Sequence, residues 1–201
     1  MTATTKPAII TAAEKKTVLE AACDYAHMGL SVLPLHGKRP SVNEWKSYQA
    51  QRAVDAVIRG WGSSGKLQNV GIVCGKVSGN LVVLDLDGAA GYPAFAAQFP
   101  DLAETYTVAS GGGVGKHVYW KVDDLPLPIK AMDSPIGNLE ICAEGRQVVA
   151  PPSVYPVRKQ KYTIHKPLDI LHVKDLKKLT ESQQARLKRA RPFAAQRGLL
   201  N

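Results

Sequence analysis

Between residues 70 and 150 the chain is a series of short β-rich runs: 70–73, 81–86, 106–108, 118–122, 139–142 and 147–150. Gly75, Gly79, Gly88, Gly91, Gly111, Gly112, Gly113, Gly115, Gly137 and Gly145 punctuate them. Runs of three to six residues broken this often are too short for helices, and glycine supplies the tight turns between strands. One helix fits among them, near 93–99 with Leu102. Pro151, Pro152 and Pro156 end the series.

The stretch before it reads differently. Thr11-Ala12-Ala13-Glu14 has capping-box spacing, and Val18, Leu19, Ala22, Tyr25 and Ala26 follow at helical spacing with Gly29 as a stop. Residues 30–35 read as a buried strand, and His36-Gly37-Lys38-Arg39-Pro40 as a basic turn. Val54, Val57, Ile58 and Trp61 predict a second helix over about 52–61. Helices first and a mostly antiparallel sheet after them make the expected class α+β.

Charge divides the chain at a different place. The formal net charge is +9, yet residues 1–157 hold 14 basic and 14 acidic side chains. The last 44 residues hold 12 Lys and Arg against Asp169, Asp175 and Glu181, which accounts for the whole excess. Residues 173–190 form a basic helical pattern whose large apolar residues after Val173 are Leu176, Leu179 and Leu187. The expected organisation is a domain over 1–167 and a basic helical tail or linker over 168–201. A neutral body with a cationic tail points to a polyanion, either nucleic acid or an acidic membrane.

Composition removes several classes. Apolar residues at 45% and charged residues at 21% are inconsistent with wholesale disorder. Cys23, Cys74 and Cys142 are too few and too widely spaced for a disulfide framework or a structural zinc site, which fits a reducing cytoplasm. No run approaches the roughly 18 apolar residues of a membrane span, and residues 1–6 lack a secretory apolar core.

Three motifs carry chemistry. In Leu81-Val82-Val83-Leu84-Asp85-Leu86-Asp87-Gly88, residues i and i+2 of a strand share a face, so Asp85 and Asp87 point together. A divalent cation between them relieves their repulsion, and carboxylate oxygens suit Mg²⁺ or Mn²⁺. The plainer reading is a turn at Asp87-Gly88 with Asp85 capping the strand. Ser110-Gly111-Gly112-Gly113-Val114-Gly115-Lys116-His117 joins two strands. Its backbone N–H groups, with Lys116 and His117, suit a triphosphate. It lacks the P-loop pattern and opens into a strand, and a long hairpin loop with a surface histidine explains it equally. Glu140 stands inside the apolar run Leu139-Glu140-Ile141-Cys142, either as a third metal ligand or as a solvent-facing charge on an edge strand. From Asp85 to Glu140 the three motifs occupy 56 residues. In that order they combine metal ligands with a phosphate cradle, the parts two-metal nucleotidyl transfer requires.

The ordered set resembles the bifunctional primase/polymerase domain of the archaeo-eukaryotic primase superfamily, over roughly residues 18–165. The resemblance rests on 29–35 with Lys38, Pro40 and Trp45, on Asn69-Val70-Gly71-Ile72-Val73 with Gly75, and on Ser78-Gly79 before the Asp85 strand. It continues through Thr107, Ser110-Gly111-Gly112, His117, Glu140, Gly145, 148–153 and Tyr162. There are departures. Glu140 stands where many relatives have Asp, and 154–159 reads Val-Tyr-Pro-Val-Arg-Lys in place of a His-Pro turn. The resemblance implies an antiparallel catalytic sheet related to RNA-recognition-type folds, beside a small N-terminal helix-containing unit. It implies Asp85, Asp87 and Glu140 as ligands of Mg²⁺ or Mn²⁺, and His117 as the catalytic histidine on the incoming phosphates. Ser110, Gly111 and Gly112 are expected to assist it, with Lys116 and Arg146 as weaker candidates. The implied activity is that of a nucleotidyltransferase making and extending primers from NTPs or dNTPs on single-stranded DNA, in plasmid, phage or mobile-element replication. A helicase is expected in trans or in a longer parent chain, with no membrane partner. Lys177, Lys178, Arg186, Lys188 and Arg189 of the tail are expected to contact DNA.

Two other classes compete. A haloacid-dehalogenase-type phosphatase also begins with an apolar strand and Asp-x-Asp, but it needs parallel α/β alternation, and Asp123-Asp124 is the only adjacent acid pair. A non-catalytic nucleic-acid-binding module would explain the tail, but gains nothing from three carboxylates near DNA.

Overall fold

The computed structural model describes residues 16–134, 137–179 and 181. In chain order its elements are α1 (Val18–His27), β1 (Ser31–His36), β2 (Arg39–Pro40), α2 (Asp55–Ser63), β3 (Asn69–Val73), β4 (Leu81–Leu86), α3 (Gly91–Gln98) and α4 (Pro100–Ala103). They continue with β5 (Thr107–Ala109), β6 (Lys116–Val122), β7 (Ile129–Ser134), β8 (Gly137–Cys142), β9 (Gln147–Ala150), β10 (Thr163–Lys166) and β11 (Leu171–Val173). The fold is α+β, as the sequence led us to expect.

The capping box expected at Thr11–Glu14 lies outside the described residues. A second Thr-x-x-Glu, Thr17 to Glu20, caps α1: the Thr17 hydroxyl accepts from the Glu20 N–H and the Glu20 carboxylate accepts from the Thr17 N–H. Gly29 follows at φ +82°, the left-handed conformation that releases the chain into β1. In α2 the expected apolar stripe is only half used. Ile58 and Trp61 are buried, whereas Val54, which precedes the first turn, and Val57 face solvent.

Two sheets result. The smaller has the order β2-β1-β3-β9 and is antiparallel throughout. The larger runs β10-β5-β6-β4-β8-β7, also antiparallel, with β11 added parallel to β6. Strand alternation gives the larger sheet two buried faces. Val82, Leu84 and Leu86 of β4, Val118, Trp120 and Val122 of β6, and Leu139 and Ile141 of β8 form one core with Phe95 and Ala103 of the helices. Leu81, Val83, Tyr119 and Cys142 face the other way, into a core shared with α1, α2 and the smaller sheet.

The strand arrangement bears on two of the sequence readings. The described residues contain no parallel α/β alternation around β4, whose two neighbours are antiparallel, so a dehalogenase-type phosphatase is excluded. Past residue 167 the chain also continues the fold. β11 lies against β6, and Leu176 and Leu179 are buried in the helical-side core. Val173 therefore ends a strand, and helical backbone starts at Lys177. Leu176 and Leu179, which the sequence placed on a basic helix, are what hold this segment down.

Candidate active site

β4 is the central strand of the site because β6 and β8 flank it. The register sets Asp85 directly opposite His117 on one side and Glu140 on the other. Directly opposed residues in an antiparallel pair stand about 4.5–5.5 Å apart at Cα and project from the same face. His117, Asp85 and Glu140 thus form one lateral row, although they are separated in sequence by more than twenty residues at each step. Asp87 continues the face two residues further, its N–H bonded to the Asn138 carbonyl at 2.8 Å. Deeper on that face lie Val83, Tyr119 and Cys142, so the row stands where the apolar core gives way to solvent. The Asp85 and Glu140 side chains are 32% and 27% exposed, and His117 only 6%.

Local partners orient the row. His117 Nε2 lies 3.5 Å from Asp85 Oδ1, and its ring meets Tyr162 with centroids 5.7 Å apart. His117 Nδ1 is buried with no hydrogen-bond partner among the described residues, an arrangement a ligand atom would relieve. Arg146 Nε stands 3.6 Å from Glu140 Oε1. Burial, with Asp85, Tyr155 and Asp87 nearby, pushes the Tyr162 phenol well above its usual value. Tyr162 therefore remains a neutral wall beside the acids. Burial likewise raises Cys74 and Cys142, which stay protonated and inert.

The glycine loop closes the row from one end. Ser110 N–H bonds the Gly115 carbonyl at 3.0 Å, and Gly113 N–H bonds the Ser110 carbonyl at 3.1 Å. Gly115 lies so close to β4 that a Cβ there would stand 2.9 Å from the Leu86 carbonyl and 2.8 Å from Ser110 Oγ. Gly111 is equally confined, with Tyr155 Cβ at 2.5 Å from such an atom. Gly115→Ala is expected to displace the loop, at a stability cost of about 1–3 kcal/mol. A lowered melting temperature relative to the wild type, followed by circular dichroism, checks this.

Not every residue expected at the site arrives there. Lys116 pairs with Leu86, not Asp85, so it projects from the opposite face. Its charge there helps depress the pKa of His165, after the larger effect of burial. Lys177 stands beside Asp175, and Lys178 borders a cleft of about 460 Å³ on the helical side of the sheet, away from the row. Arg186, Lys188 and Arg189 lie outside the described residues. Tyr162 against His117 was not foreseen as a site residue. Its signal in sequence was its place at the end of the family resemblance, which gave it no role at the site.

Among the described residues, no three His, Cys, Asp or Glu side chains are drawn together tightly enough to hold an ion. Asp85 turns toward His117 and Glu140 toward Arg146, which keeps the mutually repelling carboxylates apart. The donor set nonetheless fits a hard divalent cation. Two carboxylates oppose each other on neighbouring strands, with a third at i+2 on the same face.

A family model, bifunctional DNA primase/polymerase, N-terminal, matches residues 22–179. The chain belongs to that family. The match takes in β4, the glycine loop, β6 and β8, hence every residue of the row, and it extends through β11 to Leu179. A search of curated proteins returned no match. Membership supports a primase/polymerase activity in general, with DNA and nucleotides as its partners, in a family that is generally dependent on divalent metal. No helix among the described residues is long and apolar enough to cross a membrane.

Proposed function

We propose that this chain is a DNA-dependent primase/polymerase, a nucleotidyltransferase that makes primers on single-stranded DNA and extends them from NTPs or dNTPs. The single observation that carries the reading is the lateral row His117–Asp85–Glu140, with Asp87 on the same face. Asp85, Asp87 and Glu140 would hold Mg²⁺ or Mn²⁺, which supplies Lewis-acid stabilisation of the triphosphate and a lower pKa for the attacking 3′-hydroxyl.

The chain's own groups do the rest. His117 donates to a phosphate oxygen, and its ring is held for this between Asp85 and Tyr162. Ser110 and the half-buried backbone at Gly112 would meet the triphosphate, with Gly111 packed beneath Tyr155 to hold the loop in place. Arg146 neutralises part of the charge on Glu140, which limits repulsion within the row before nucleotide enters. Tyr162, uncharged and buried, excludes water from one side of His117. Asp85 and Glu140 keep the partial exposure that an entering nucleotide needs.

The setting we favour is the cytoplasmic replication of a plasmid, phage or mobile element, with a helicase acting in trans or in a longer parent chain. The basic residues beyond Leu179 would add DNA contacts. The direct test is synthesis of labelled primers by the full chain on single-stranded DNA, supplied with each nucleotide type and each metal.

A further inference from the structure

Two basic segments that the row does not use come together beside the glycine loop. One is the turn at 36–40, with Lys38 and Arg39; the other is the loop at 154–161, with Arg158, Lys159 and Lys161. They are more than a hundred residues apart in sequence, and neither contains an acid. All five cations are exposed, and none makes an ion pair among the described residues.

A buried polar clamp joins the segments. Asn69, only 5% exposed, donates from Nδ2 to the Gly37 carbonyl at 2.8 Å and to the Val154 carbonyl at 2.9 Å. Its Oδ1 accepts from the Val154 N–H at 2.9 Å. Ser153, fully buried, accepts from the Val70 N–H at 2.9 Å and so fixes the start of the loop on β3. Gly37 lies at φ +61° against Pro156, whose Cγ would be 3.5 Å from a Cβ there. Lys38 Nζ sits 4.9 Å from the centre of the Tyr155 ring. Gln147 Nε2 adds a hydrogen bond to the Lys38 carbonyl at 3.1 Å.

The far end of the loop lies on the glycine loop. Arg158 Nη1 and Gln160 Oε1 would each be 3.2 Å from a Cβ on Gly113, and Tyr155 N–H bonds the Gln160 carbonyl at 2.8 Å. The cations are therefore held in one place by backbone bonds and do not depend on flexible side-chain pairing. Holding five unpaired like charges together is unfavourable by itself. A polyanion that spans both segments removes the repulsion and releases its own counterions.

We propose that the 36–40 turn and the 154–161 loop form one cationic surface that binds the phosphate backbone of single-stranded DNA alongside the glycine loop. Its charges are carried on two segments that Asn69 ties together. Val157, 78% exposed at the tip of the loop, presents an apolar group among the cations, suited to the sugars between successive phosphates. The choice of DNA as the polyanion rests on the primase/polymerase reading; the surface itself does not. Asn69 acts as a positioning residue, touching no ligand and fixing the two segments relative to each other.

The test is binding of the full chain to labelled oligo-dT in EDTA, over a series of salt concentrations, so that neither metal nor catalysis contributes. Lys38→Gln/Arg39→Gln and Arg158→Gln/Lys159→Gln/Lys161→Gln are each expected to weaken binding about tenfold or more. They should also flatten the log–log salt slope by about 0.7 for every phosphate no longer neutralised. Arg39→Glu and Lys161→Glu, single exposed changes, repeat the measurement should either multiple variant melt early. Asn69→Ala should reduce affinity with less change in slope, because the charges remain and only their placement is disturbed. Wild-type affinity and slope in both multiple variants overturns the proposal. So does a loss of triphosphate binding with DNA binding unchanged, which assigns the cations to the nucleotide. A chain that binds DNA through these residues but makes no primer supports the surface and overturns the catalytic reading alone.

Discussion

Asp85→Ala/Asp87→Ala is expected to abolish primer synthesis and extension, by at least about 10³-fold in rate, which corresponds to roughly 4 kcal/mol of lost transition-state stabilisation. Both carboxylates stand on the solvent-facing end of β4, on the face shared with His117 and Glu140. Removing them leaves Glu140, beside Arg146, as the last acid of the row. One carboxylate does not hold a divalent cation in a fixed place, so the reacting groups lose charge stabilisation and alignment together. The fold should survive. Asp85 is a third exposed and Asp87 more so, and relief of their mutual repulsion offsets the weak attraction between Asp85 and His117 that the change removes. A thermal melt near that of the wild type, with no product on a sequencing gel, is the expected pair of results. Asp85→Asn/Asp87→Asn, which preserves shape, should be equally inactive.

Trp120→Ala is expected to carry the largest stability cost among single changes. Trp120 is fully buried at the centre of the helical-side core, opposite Val82 on β4 and Leu171 on β11. Its indole N–H donates to the Leu102 carbonyl at 3.0 Å, and its ring meets Phe95 with centroids 5.9 Å apart. Truncation leaves a cavity between sheet and helices and an unpaired carbonyl, at a cost of about 3–5 kcal/mol. In a chain of this size that lowers the melting temperature by roughly 6–20 °C. The His117–Asp85–Glu140 row lies on the other side of the same strands, so activity at low temperature should fall less than stability. Circular-dichroism melts read the effect, and Trp120→Phe should recover most of it.

Much of this organisation was legible because strand period and glycine spacing are local properties. The run from Leu81 to Asp87 specified its own faces: alternation placed Leu84 and Leu86 in one core and Asp85 and Asp87 on the opposite face. Glu140 was ambiguous by itself, since a lone acid in an apolar strand equally suits solvent. The register sets it opposite Asp85 on an inner strand, and pairing partners are not written in a single strand. Lys116 shows the same gap in the other direction. In sequence it adjoins His117 and reads as part of the phosphate loop, but one residue along a strand is the other side of a sheet. Leu176, Leu179 and Leu187 looked like the sparse apolar face of a basic tail; Leu176 and Leu179 are buried, and Leu187 lies outside the described residues. The burial of the first two depends on a parallel edge on β6 and on α4, neither of which the local pattern announces. Asn69 was visible as part of a resemblance, with no physical reason for it. The reason is tertiary: its amide satisfies three backbone groups on two distant segments.

The central claim is that the His117–Asp85–Glu140 row performs nucleotidyl transfer. It is tested most directly by incubating the full chain with single-stranded DNA, NTPs or dNTPs and Mg²⁺ or Mn²⁺, and resolving labelled products by length. Short products that grow with time, vanish in EDTA and are absent with Asp85→Ala/Asp87→Ala are the expected result. Absence of any product with either metal, from folded protein that binds the same DNA, contradicts it.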